Sequence, residues 1–347
     1  MSMRAIFRAL LAAVFSVGLL FTAGTAPATA DIVDRDTAPS LRFISYNVCG
    51  ASSTCRTRDD AGKVEWRDAV VHTIDHWDAD LVMLQEVCHG QWLMLREHLA
   101  SRSGVKYDTA WGAALPSASG CKRWDPTPKT DEPGELRFGL AIFAKGGPGT
   151  IDLNSRRVTL LPEPTQAENR ILLCAKATVD ARTVRACNTH IDFNAPNTTA
   201  QTAEVATIAG DFANAGEPVV LAGDFNQQPK HPDMNPLYRH GKDTEGNLAT
   251  GVFQEVDEND KSQFTKPDPV LEPDADPASG CEQSWDLCRS GEPTASKECS
   301  EHTTSKAKID YIFLSHSWFT TVRGDSMECT DKVADHHLLR GAAAWEN

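Results

Sequence analysis

Short apolar segments recur along most of the chain. Within them apolar and polar positions alternate poorly, which predicts β-strands that are buried on both faces. Between several segments the apolar positions instead repeat every three or four residues, which is the period of an amphipathic helix. The predicted strands are Leu41–Val48, Leu81–Val87, Gly139–Lys145, Ile171–Val179, Arg182–Ile191, Val219–Phe225, Ile309–Leu314 and His337–Trp345, and the predicted helices are Lys63–Trp77, Gln91–Ala100 and Thr199–Ala213. This mixture indicates an α/β or α+β fold.

Two consecutive predicted strands are separated by two residues, which predicts a β-hairpin. A two-residue turn places Val179 opposite Arg182, and the same register places Cys174 opposite Cys187. Directly opposed residues on antiparallel strands have Cα atoms about 4.5–5.5 Å apart, a distance that a disulfide spans. We therefore expect a disulfide between Cys174 and Cys187.

The segment from Glu255 to Asp286 departs from this pattern. It carries ten acidic residues against two lysines, and four prolines interrupt it. Such a composition predicts a solvated insertion or long loop and not a part of the core. Because a strand pattern resumes at Ile309, we expect one domain over residues 31–347, with an acidic, proline-rich insertion at about residues 240–305.

The first 30 residues have the pattern of a secretory signal peptide. Arg4 and Arg8 precede an apolar stretch over residues 9–21, and small residues at 28–30 form a cleavage pattern. The apolar stretch is shorter than the roughly 20 residues that span a bilayer. We expect a secreted protein that is cleaved after about Ala30 and has no stable membrane insertion.

All ten cysteines lie after this segment. An even number of cysteines in an oxidising compartment predicts disulfides. A zinc site is the competing interpretation, but the sequence has no C-x-x-C pair. We expect Cys281, Cys288 and Cys299 to tie together a loop.

The chain has 34 basic and 48 acidic residues, and its net charge is −14. This balance disfavours a basic protein that wraps nucleic acid. A polyanionic substrate would therefore need a bound cation or a local basic patch. Arg56, Arg58, Lys122 and Arg123 are candidates for that patch, or they are ordinary solubilising charges.

Polar side chains end most of the predicted strands. Each occurrence alone is weak evidence, since an Asp-x-Asn sequence commonly forms a turn. Burial of carboxylates, amides and imidazoles costs several kcal/mol apiece unless they pair or bind a cation, so one converging site explains the whole series better. The segments are Ser45-Tyr46-Asn47, Leu84-Gln85-Glu86, Asn188-Thr189-His190, Gly223-Asp224-Phe225-Asn226, Ile309-Asp310-Tyr311 and Asp335-His336-His337.

In this order the segments resemble the endonuclease/exonuclease/phosphatase superfamily, which includes pancreatic deoxyribonuclease, abasic-site endonucleases and bacterial sphingomyelinases. The resemblance extends from Leu41 to Trp345. It implies a four-layer α/β sandwich, in which two packed mixed β-sheets are flanked by helices and the site lies at one rim. These motifs are typical of the superfamily and leave the substrate open.

Hydrolysis of a phosphoester needs a cation at the phosphoryl oxygens, a base for water and donors that hold the phosphorus in line. The resemblance implies Glu86 as a direct metal ligand, assisted by Asn47, with Asp335 as an additional candidate. Mg²⁺ takes one or two carboxylates and keeps several waters, which suits a sparse oxygen site. We therefore expect Mg²⁺ as cofactor, with Mn²⁺ or Ca²⁺ as alternatives.

His336 is the candidate general base, because imidazole titrates near pH 6.5, and Asp310 is expected to hold its ring. The resemblance implies that Asp224 orients water or the leaving group and that Asn226 donates to a phosphate oxygen. It also makes His190 similar to the second histidine of the deoxyribonuclease and sphingomyelinase branches. That histidine is a phosphate contact or an acid.

Other polar positions keep two interpretations each. Arg170 resembles a phosphate-binding arginine, or it forms an exposed salt bridge. Glu135 is a candidate acidic partner for His190, whereas Asp192 either joins the site or solvates a strand end. His337 is expected to be structural or to lie at the rim.

We expect a metal-dependent phosphoesterase that is a monomer and acts on a phosphoester substrate, with nucleic acid as the first choice. One alternative is a sphingomyelinase-type phospholipase C, for which Trp111 and Trp124 are candidate lipid-facing residues. A small-molecule or inositol phosphatase is another. A catalytically inactive binding module would lack one or more of the catalytic residues, and all of them are present.

Overall fold

The computed structural model describes residues 33–52, 55, 60–124, 136–162, 168–239, 249–258, 289–299, 306–329 and 333–346. The first sheet contains β1 (Leu41–Asn47), β2 (Leu81–Cys88), β3 (Tyr107–Leu115), β4 (Phe138–Lys145), β11 (Phe319–Ser326) and β12 (Leu339–Trp345). The second sheet contains β5 (Ile151–Leu160), β6 (Ile171–Val179), β7 (Arg182–His190), β8 (Val219–Asp224), β9 (Phe253–Glu255) and β10 (Asp310–Ser315). The helices are α1 (Asp60–Trp77), α2 (His89–Ser101) and α3 (Asn197–Asn214), with 3₁₀ turns at Ser119–Trp124 and Pro232–Met234.

The two sheets pack face to face and share an apolar core. Phe43 and Met83 of the first sheet lie in the same buried cluster as Leu173, Val220 and Ile312 of the second. Strands at the centre of each sheet are apolar on both faces, because each sheet is covered by its partner on one side and by helices on the other. This burial explains why their sequences run apolar without alternation.

The helices cover the outer faces of the sheets. On α1, Trp66, Val70, Ile74 and Trp77 are buried against the first sheet, as their spacing predicts. Helix α2 packs on the same face, and α3 covers the second sheet through residues such as Val205. The expected four-layer α/β sandwich of two mixed sheets flanked by helices is thereby confirmed.

All four strands that the sequence pattern does not predict are edge strands. The first sheet runs β11-β12-β1-β2-β4-β3 and the second β5-β6-β7-β8-β10-β9, so β11, β3, β5 and β9 end the sheets. Most side chains of β5 are exposed, and the middle of β11 alternates exposed with half-buried positions. An edge strand keeps solvent on one side and therefore lacks a continuous apolar run.

The predicted hairpin is confirmed in its register. Strands β6 and β7 pair antiparallel, with Val179 opposite Arg182 and Cys174 opposite Cys187. The two cysteines form the expected disulfide, with Cα atoms 4.1 Å apart. The described residues contain three more disulfides, Cys49–Cys55, Cys88–Cys121 and Cys299–Cys329. Cys299 is thus bonded to Cys329, which lies outside the loop that Cys299 was expected to tie together with Cys281 and Cys288.

Within the solvated insertion predicted at about residues 240–305, the prediction is wrong for residues 255–258 and for most of 289–299. Glu255 lies in β9 and is buried, as are Asp257 and Glu258, and residues 289–299 are mostly buried as well. The acidic groups are tolerated because buried Lys308 lies between two of them, with its Nζ 3.2 Å from Glu255 Oε1 and 3.4 Å from Asp257 Oδ2. The composition of a segment gives the number of its charged residues but does not show whether they form buried ion pairs.

None of the described helices combines the length and the apolarity needed to cross a bilayer.

Several predictions concern residues outside those that the structure describes. The predictions that fall outside the described residues are the signal peptide and its cleavage after Ala30, the middle of the insertion at 259–288, the basic residues Arg56 and Arg58, the acid Glu135, and the cysteines Cys281 and Cys288.

Candidate active site

The strand register brings three predicted site residues side by side at one rim of the second sheet. Strands β7 and β8 are parallel, so both end at this rim, with His190 opposite Asp224. Strand β10 runs antiparallel to β8 and begins there, with Asp310 opposite Asp224. One ligand atom each of Asp224, Asp310 and His336 lies within 4.8 Å of the others. Sheet topology therefore gathers groups that are far apart in sequence.

Asn47 joins the two sheets at the same rim. It ends β1, and its side chain is fully buried. Its amide Nδ2 donates to Glu86 Oε1 on the first sheet and to Asp224 Oδ2 on the second, both at 3.2 Å. The backbone N–H of Cys49 donates to Asn47 Oδ1 at 3.1 Å and fixes the orientation of the amide. The site is thus shared by both sheets.

A β-bulge directs Glu86 into the site. Leu84 pairs with Ala141 and Val87 pairs with Gly139, so two residues of β2 face one residue of β4. Glu86 has a φ of +56°, a left-handed conformation that is uncommon for a non-glycine residue. Bulges re-aim side chains and are frequent beside active sites. The carboxylate therefore leaves the alternation of the strand and reaches Asn47.

The turn after β8 depends on its glycine and its asparagine. A Cβ on Gly223 would lie 2.3 Å from the Thr189 carbonyl oxygen, so a larger residue does not fit. Asn226 has a φ of +50°, which asparagine tolerates better than most residues. Its backbone N–H donates to Asp224 Oδ1 at 3.0 Å, and its Nδ2 donates to the Ile191 carbonyl at 2.9 Å. The turn holds the amide beside His190.

His336 forms a carboxylate–imidazole pair with Asp310. Its Nδ1 lies 2.8 Å from Asp310 Oδ2, and its Nε2 lies 3.6 Å from Asp224 Oδ2. Because Nδ1 is hydrogen-bonded to Asp310, Nε2 is the ring nitrogen that faces the site. Burial opposes the imidazolium, but the carboxylates of Asp310 and Asp224 outweigh it and hold the pKa of His336 well above its ordinary value. The pair therefore stabilises a proton on this imidazole.

The carboxylates of the site lie close together with little neutralising charge. Burial, and then the charge of Asp335, raise the pKa of Glu86 to about 7. Burial, and then the charge of Asp310, raise the pKa of Asp224 to about 7. Among the described residues, the buried Asp335 Oδ1 has no hydrogen-bond partner. A cation between Glu86 and Asp335 would relieve both the repulsion and the unsatisfied oxygen.

The donor set fits a hard divalent cation. The carboxylates of Glu86 and Asp335 offer oxygen atoms, and such ligands suit Mg²⁺, Mn²⁺ or Ca²⁺ better than softer metals, while the Asn47 amide presents Nδ2 to Glu86 and its Oδ1 to the Cys49 N–H. Two other clusters of possible ligands contain the sulfurs of Cys49 with Cys55 and of Cys299 with Cys329, which are bound in disulfides.

His190 lies in the site, but its surroundings differ from those of His336. Its Nε2 is 3.5 Å from Asp224 Oδ2 and 3.4 Å from the Asn226 amide nitrogen. Burial, together with the positive charges of Arg170 and His336, holds the pKa of His190 well below its ordinary value. His190 is therefore neutral at neutral pH. Glu135, its other candidate partner, is not among the described residues.

Arg170 is buried and not exposed. Its guanidinium makes a 2.9 Å ion pair with Glu168, and only 6% of its side chain is accessible. The alternative of an exposed salt bridge is therefore right that Arg170 pairs with an acidic residue and wrong that the arginine is exposed. Arg170 still acts electrostatically on His190 and on Asp192, which places it next to the site.

Asp192 and His337 have structural roles. Asp192 accepts hydrogen bonds from Asn194 and from Asn197 Nδ2, and so shapes the turn into α3. The Nδ1 of His337 donates to the Met327 carbonyl at 2.9 Å, which leaves its Nε2 as the acceptor for the Ser296 hydroxyl at 2.7 Å. Both interactions fit the structural alternatives given above.

Of the four candidates for a basic patch, Lys122 and Arg123 are among the described residues, and both tryptophans that were candidates to face lipid are buried. Arg123 hydrogen-bonds the carbonyls of Gly50 and Ser52 and so braces the loop after β1. Lys122 beside it is exposed. Trp111 is 6% and Trp124 2% exposed. Neither indole is available to enter a lipid surface.

Sequence reasoning missed the residues that brace the site. The Thr294 hydroxyl accepts hydrogen bonds from the backbone N–H groups of Ile309 and Asp310, and Ala295 forms a β-bridge with His336. These residues lie within the segment that we expected to be a solvated insertion. A lone threonine in a charged, proline-rich region carries no sequence signal for this role.

A second missed interaction lies one layer below the rim. Gln85 Nε2 donates to Asn188 Oδ1 at 2.8 Å, and both side chains are fully buried between the sheets. Asn188 Nδ2 in turn donates to the carbonyls of Leu84 and Ala141. The sequence does give one indication of this interaction, because Gln85 and Asn188 belong to the same strand-end segments as Glu86 and His190.

Comparison with known proteins decides the family. The model of the endonuclease/exonuclease/phosphatase family matches residues 44–336. The chain belongs to the endonuclease/exonuclease/phosphatase family. The matched span begins in β1 and ends at His336, so it includes every candidate site residue from Asn47 onward. Members of the endonuclease/exonuclease/phosphatase family are hydrolases that act on phosphoester bonds, which is the class of chemistry expected from the sequence.

Solved structures share the endonuclease/exonuclease/phosphatase fold at low sequence identity. A Bacteroides vulgatus family member is 15% identical with a TM-score of 0.56, over 88% of this chain and 99% of that one. A Bacteroides thetaiotaomicron mannosyl-6-phosphatase is 16% identical with a TM-score of 0.55, over 88% and 99%. D. rerio TDP2 complexed with a single-strand DNA product is 16% identical with a TM-score of 0.53, over 87% and 98%.

At such identities the likeness shows the fold alone. A search of curated proteins found no match. The substrate of this endonuclease/exonuclease/phosphatase family member has to be argued from its own residues.

Proposed function

We propose that the protein is a secreted, divalent-metal-dependent nuclease that hydrolyses phosphodiester bonds of nucleic acid. The observation that carries this proposal is the convergence of Asn47 and Glu86 with Asp224, Asp310 and His336 across the two sheets. Buried carboxylates, an amide and an imidazole at one rim supply the groups that phosphoester hydrolysis needs.

In this proposal the neutral form of His336 takes the proton from the attacking water at Nε2, and the charge of a cation bound beside Asp335 would oppose the imidazolium and favour that form. Asp310 orients the ring through Nδ1 and stabilises the imidazolium that forms. Asp224 lies between the two histidines and orients the water or the leaving group. Asn226 donates to a phosphoryl oxygen, and the neutral His190 contacts the same phosphate or acts as acid.

Glu86, Asn47 and Asp335 would hold the metal ion. When bound, the ion supplies positive charge that stabilises the negative charge on the phosphoryl oxygens. The bulge that aims Glu86 and the hydrogen bond that orients Asn47 hold these side chains in place. The chain needs such compensation because its own net charge of −14 repels a polyanion.

Secretion is supported by the state of the cysteines. The eight cysteines that the structure describes form four disulfides. Disulfides of this number persist in oxidising compartments and are rare in the cytosol. They agree with the export signal in the first 30 residues.

A phospholipase C of the sphingomyelinase type is the second candidate, and one specific observation favours it. Phe193 is 67% exposed three residues after His190, and Leu160 is 56% exposed at the rim end of β5. Exposed apolar side chains beside a catalytic site suit a lipid surface. A nucleobase also stacks on an exposed phenylalanine, so Phe193 suits either substrate, and the aliphatic Leu160 is the side chain that favours lipid.

The choice is tested with the purified mature protein, incubated with plasmid DNA, RNA, sphingomyelin vesicles and a sugar phosphate. With Mg²⁺ or Mn²⁺ we expect DNA or RNA to be degraded. EDTA should abolish the activity, because the carboxylates then lack the cation that neutralises the phosphate, and excess Mg²⁺ should restore it. Degradation of sphingomyelin with both nucleic acids left intact would contradict the proposed substrate.

Replacement of Asn226 by glycine is expected to lower kcat/KM by about 10²–10³-fold, because one fixed donor to the phosphoryl oxygen is lost. Glycine accepts the φ of +50° without strain. Asn226→Ala should lose activity similarly and stability in addition, since a left-handed alanine costs about 1–2 kcal/mol. Kinetics and thermal unfolding of both variants check this, and a fully active Asn226→Gly variant contradicts the assigned role.

A further inference from the structure

A cavity of about 660 Å³ lies beside edge strand β3, outside the set of catalytic side chains. Its walls come from α2, β3, β5 and the residue that precedes β4. Six of its lining residues carry the argument and define what we call the aromatic–arginine pocket: His89, Trp92, Arg96, Trp111, Arg137 and Arg156. The volume lies in the range of small-molecule binding sites, about 300–1,000 Å³.

Three aromatic rings form a continuous cluster in this pocket. The ring centroids of His89 and Trp111 are 5.0 Å apart, those of His89 and Trp92 are 5.2 Å apart, and those of Trp92 and Trp111 are 6.0 Å apart. Trp111 is buried, so the flat surface on which a further ring can stack is that of the half-buried His89 and Trp92.

Hydrogen bonds fix the aromatic cluster in place. Trp92 Nε1 donates to Thr109 Oγ1 at 2.9 Å, and the Thr109 hydroxyl donates to the Ile142 carbonyl at 2.8 Å. Trp111 is held differently, since Arg156 donates to its backbone carbonyl at 2.7 Å. Among the described residues, the buried Trp111 Nε1 has no hydrogen-bond partner. The surface is therefore preorganised and retains one unused donor.

Arginines border the aromatic rings. The guanidinium of Arg137 lies over Trp111 at 5.1 Å and that of Arg96 lies over Trp92 at 4.7 Å, both measured to the ring centroid. With Lys106 and Arg156 the described residues of the lining contain four cationic side chains against two acidic ones. On a chain of net charge −14 this is a local excess of positive charge.

The two acidic side chains of the described lining leave an excess of two positive charges, and their own contacts are local. Asp108 Oδ2 accepts the backbone N–H groups of Gly149 and Ile151, both at 2.9 Å. Glu97 lies 3.9 Å from Arg96 in an exposed ion pair, and exposed pairs of this kind contribute little.

The pocket begins next to the catalytic rim. His89 follows Glu86 by three residues, which places the two within about 10 Å along the chain. The backbone N–H of His89 donates to the Arg137 carbonyl at 2.9 Å, and Phe138, the next residue, pairs with Cys88. The His89 side of the aromatic cluster therefore lies close to the strand end that carries Glu86.

We propose that the aromatic–arginine pocket binds an unpaired nucleobase of a single-stranded nucleic acid, with its arginines on the flanking phosphates. This inference rests on the proposed nuclease function, which it sharpens to single-stranded substrates or locally opened duplexes. Binding sites for single strands combine aromatic stacking surfaces with basic side chains along the backbone. The pocket offers both within one preorganised cavity.

The lining also argues against the choline group of a phospholipid. Quaternary ammonium groups bind to the open faces of aromatic rings. Here Arg96 and Arg137 place positive charge 4.7 Å and 5.1 Å from the ring centroids of Trp92 and Trp111. A second cation would meet like charge, whereas a neutral base with an anionic phosphate meets complementary charge.

The test measures binding separately from cleavage. A fluorescein-labelled single-stranded DNA of eight nucleotides is titrated with the full mature protein in EDTA, and Kd is read from anisotropy at several salt concentrations. We expect Trp92→Leu to raise Kd at least fivefold, because a stacked base contributes substantially to affinity. Arg96→Gln together with Arg156→Gln should raise Kd and flatten its salt dependence, because two phosphate contacts are lost.

Arg323→Gln is the matched control, since Arg323 is an exposed arginine on β11, outside the pocket. It should leave Kd unchanged, and circular dichroism of all variants checks the fold. The double arginine variant keeps the test decisive if Trp92→Leu misfolds, because both arginines reach solvent.

The outcomes separate the two proposals. Equal Kd for the wild type, the double arginine variant and the control would overturn the pocket assignment, even if the enzyme cleaves nucleic acid. Competition by phosphocholine that depends on Trp92 would overturn it in favour of a lipid head group. Pocket-dependent DNA binding without cleavage of any nucleic acid would support the pocket and remove the proposed function.

Discussion

Replacement of His336 by alanine is expected to lower kcat for phosphoester hydrolysis by about 10²–10⁴-fold, the usual contribution of a general base. No other described imidazole is paired with a carboxylate through Nδ1 and turned toward Asp224 through Nε2. His190, whose pKa is low, cannot take over as an equally strong base. Steady-state kinetics at saturating Mg²⁺ measure the loss.

Two further variants separate catalysis from folding in this prediction. His336→Gln keeps a donor for Asp310 but has no group that accepts a proton at neutral pH, so it should be as inactive as the alanine variant. His337→Ala should lose thermal stability instead, because His337 holds Met327 and Ser296. A His336→Gln enzyme that retains a tenth or more of wild-type kcat would refute the assignment of the base.

Replacement of Glu86 by glutamine is expected to lower kcat/KM more than about 100-fold at millimolar Mg²⁺. The change removes the best-placed candidate metal ligand, and even residues that only orient metal ligands contribute about 10–100-fold. Higher Mg²⁺ should recover part of the activity. Titration of activity with Mg²⁺ gives the shift in apparent affinity.

The same variant has a readout that does not depend on activity. Burial and Asp335 raise the pKa of Glu86 from 4.5 to about 7, so the folded protein binds the proton more tightly than the unfolded chain. Without a cation, ionised Glu86 therefore costs stability increasingly as the pH rises from about 4.5 to 7, and fully above that. In EDTA at pH 8, Glu86→Gln should melt above the wild type, while Mg²⁺ should raise the Tm of the wild type more. The reverse order in EDTA would count against the site.

The strand pattern of the sequence predicts the interior of both sheets and misses their edges. Strands such as β2 and β8 are enclosed on both faces, so their apolar residues run continuously. Strand β5 satisfies its backbone by pairing on one side while most of its side chains face water. Nothing in a polar run of this kind distinguishes a strand from a loop before its neighbour is known.

The members of the candidate site are recognisable in the sequence, but their orientation is not. Polar groups at strand ends and the order of the segments indicate which residues converge. The bulge at Glu86 requires knowledge of how β2 pairs with β4. Asp310 owes its backbone position to Thr294, which belongs to a segment whose composition suggests solvent exposure. Long-range pairing of this kind leaves no local pattern.

The hydrogen bonds from Asn47 to Asp224 and from Gln85 to Asn188 have a consequence for the whole molecule. They tie the reactive groups of one sheet to those of the other, directly above the shared core. If one sheet shifted against the other by a fraction of an ångström, all the reactive groups on the first sheet would move away from those on the second. Inter-layer side chains such as Met83 and Leu173, far from any substrate, set the alignment on which turnover depends.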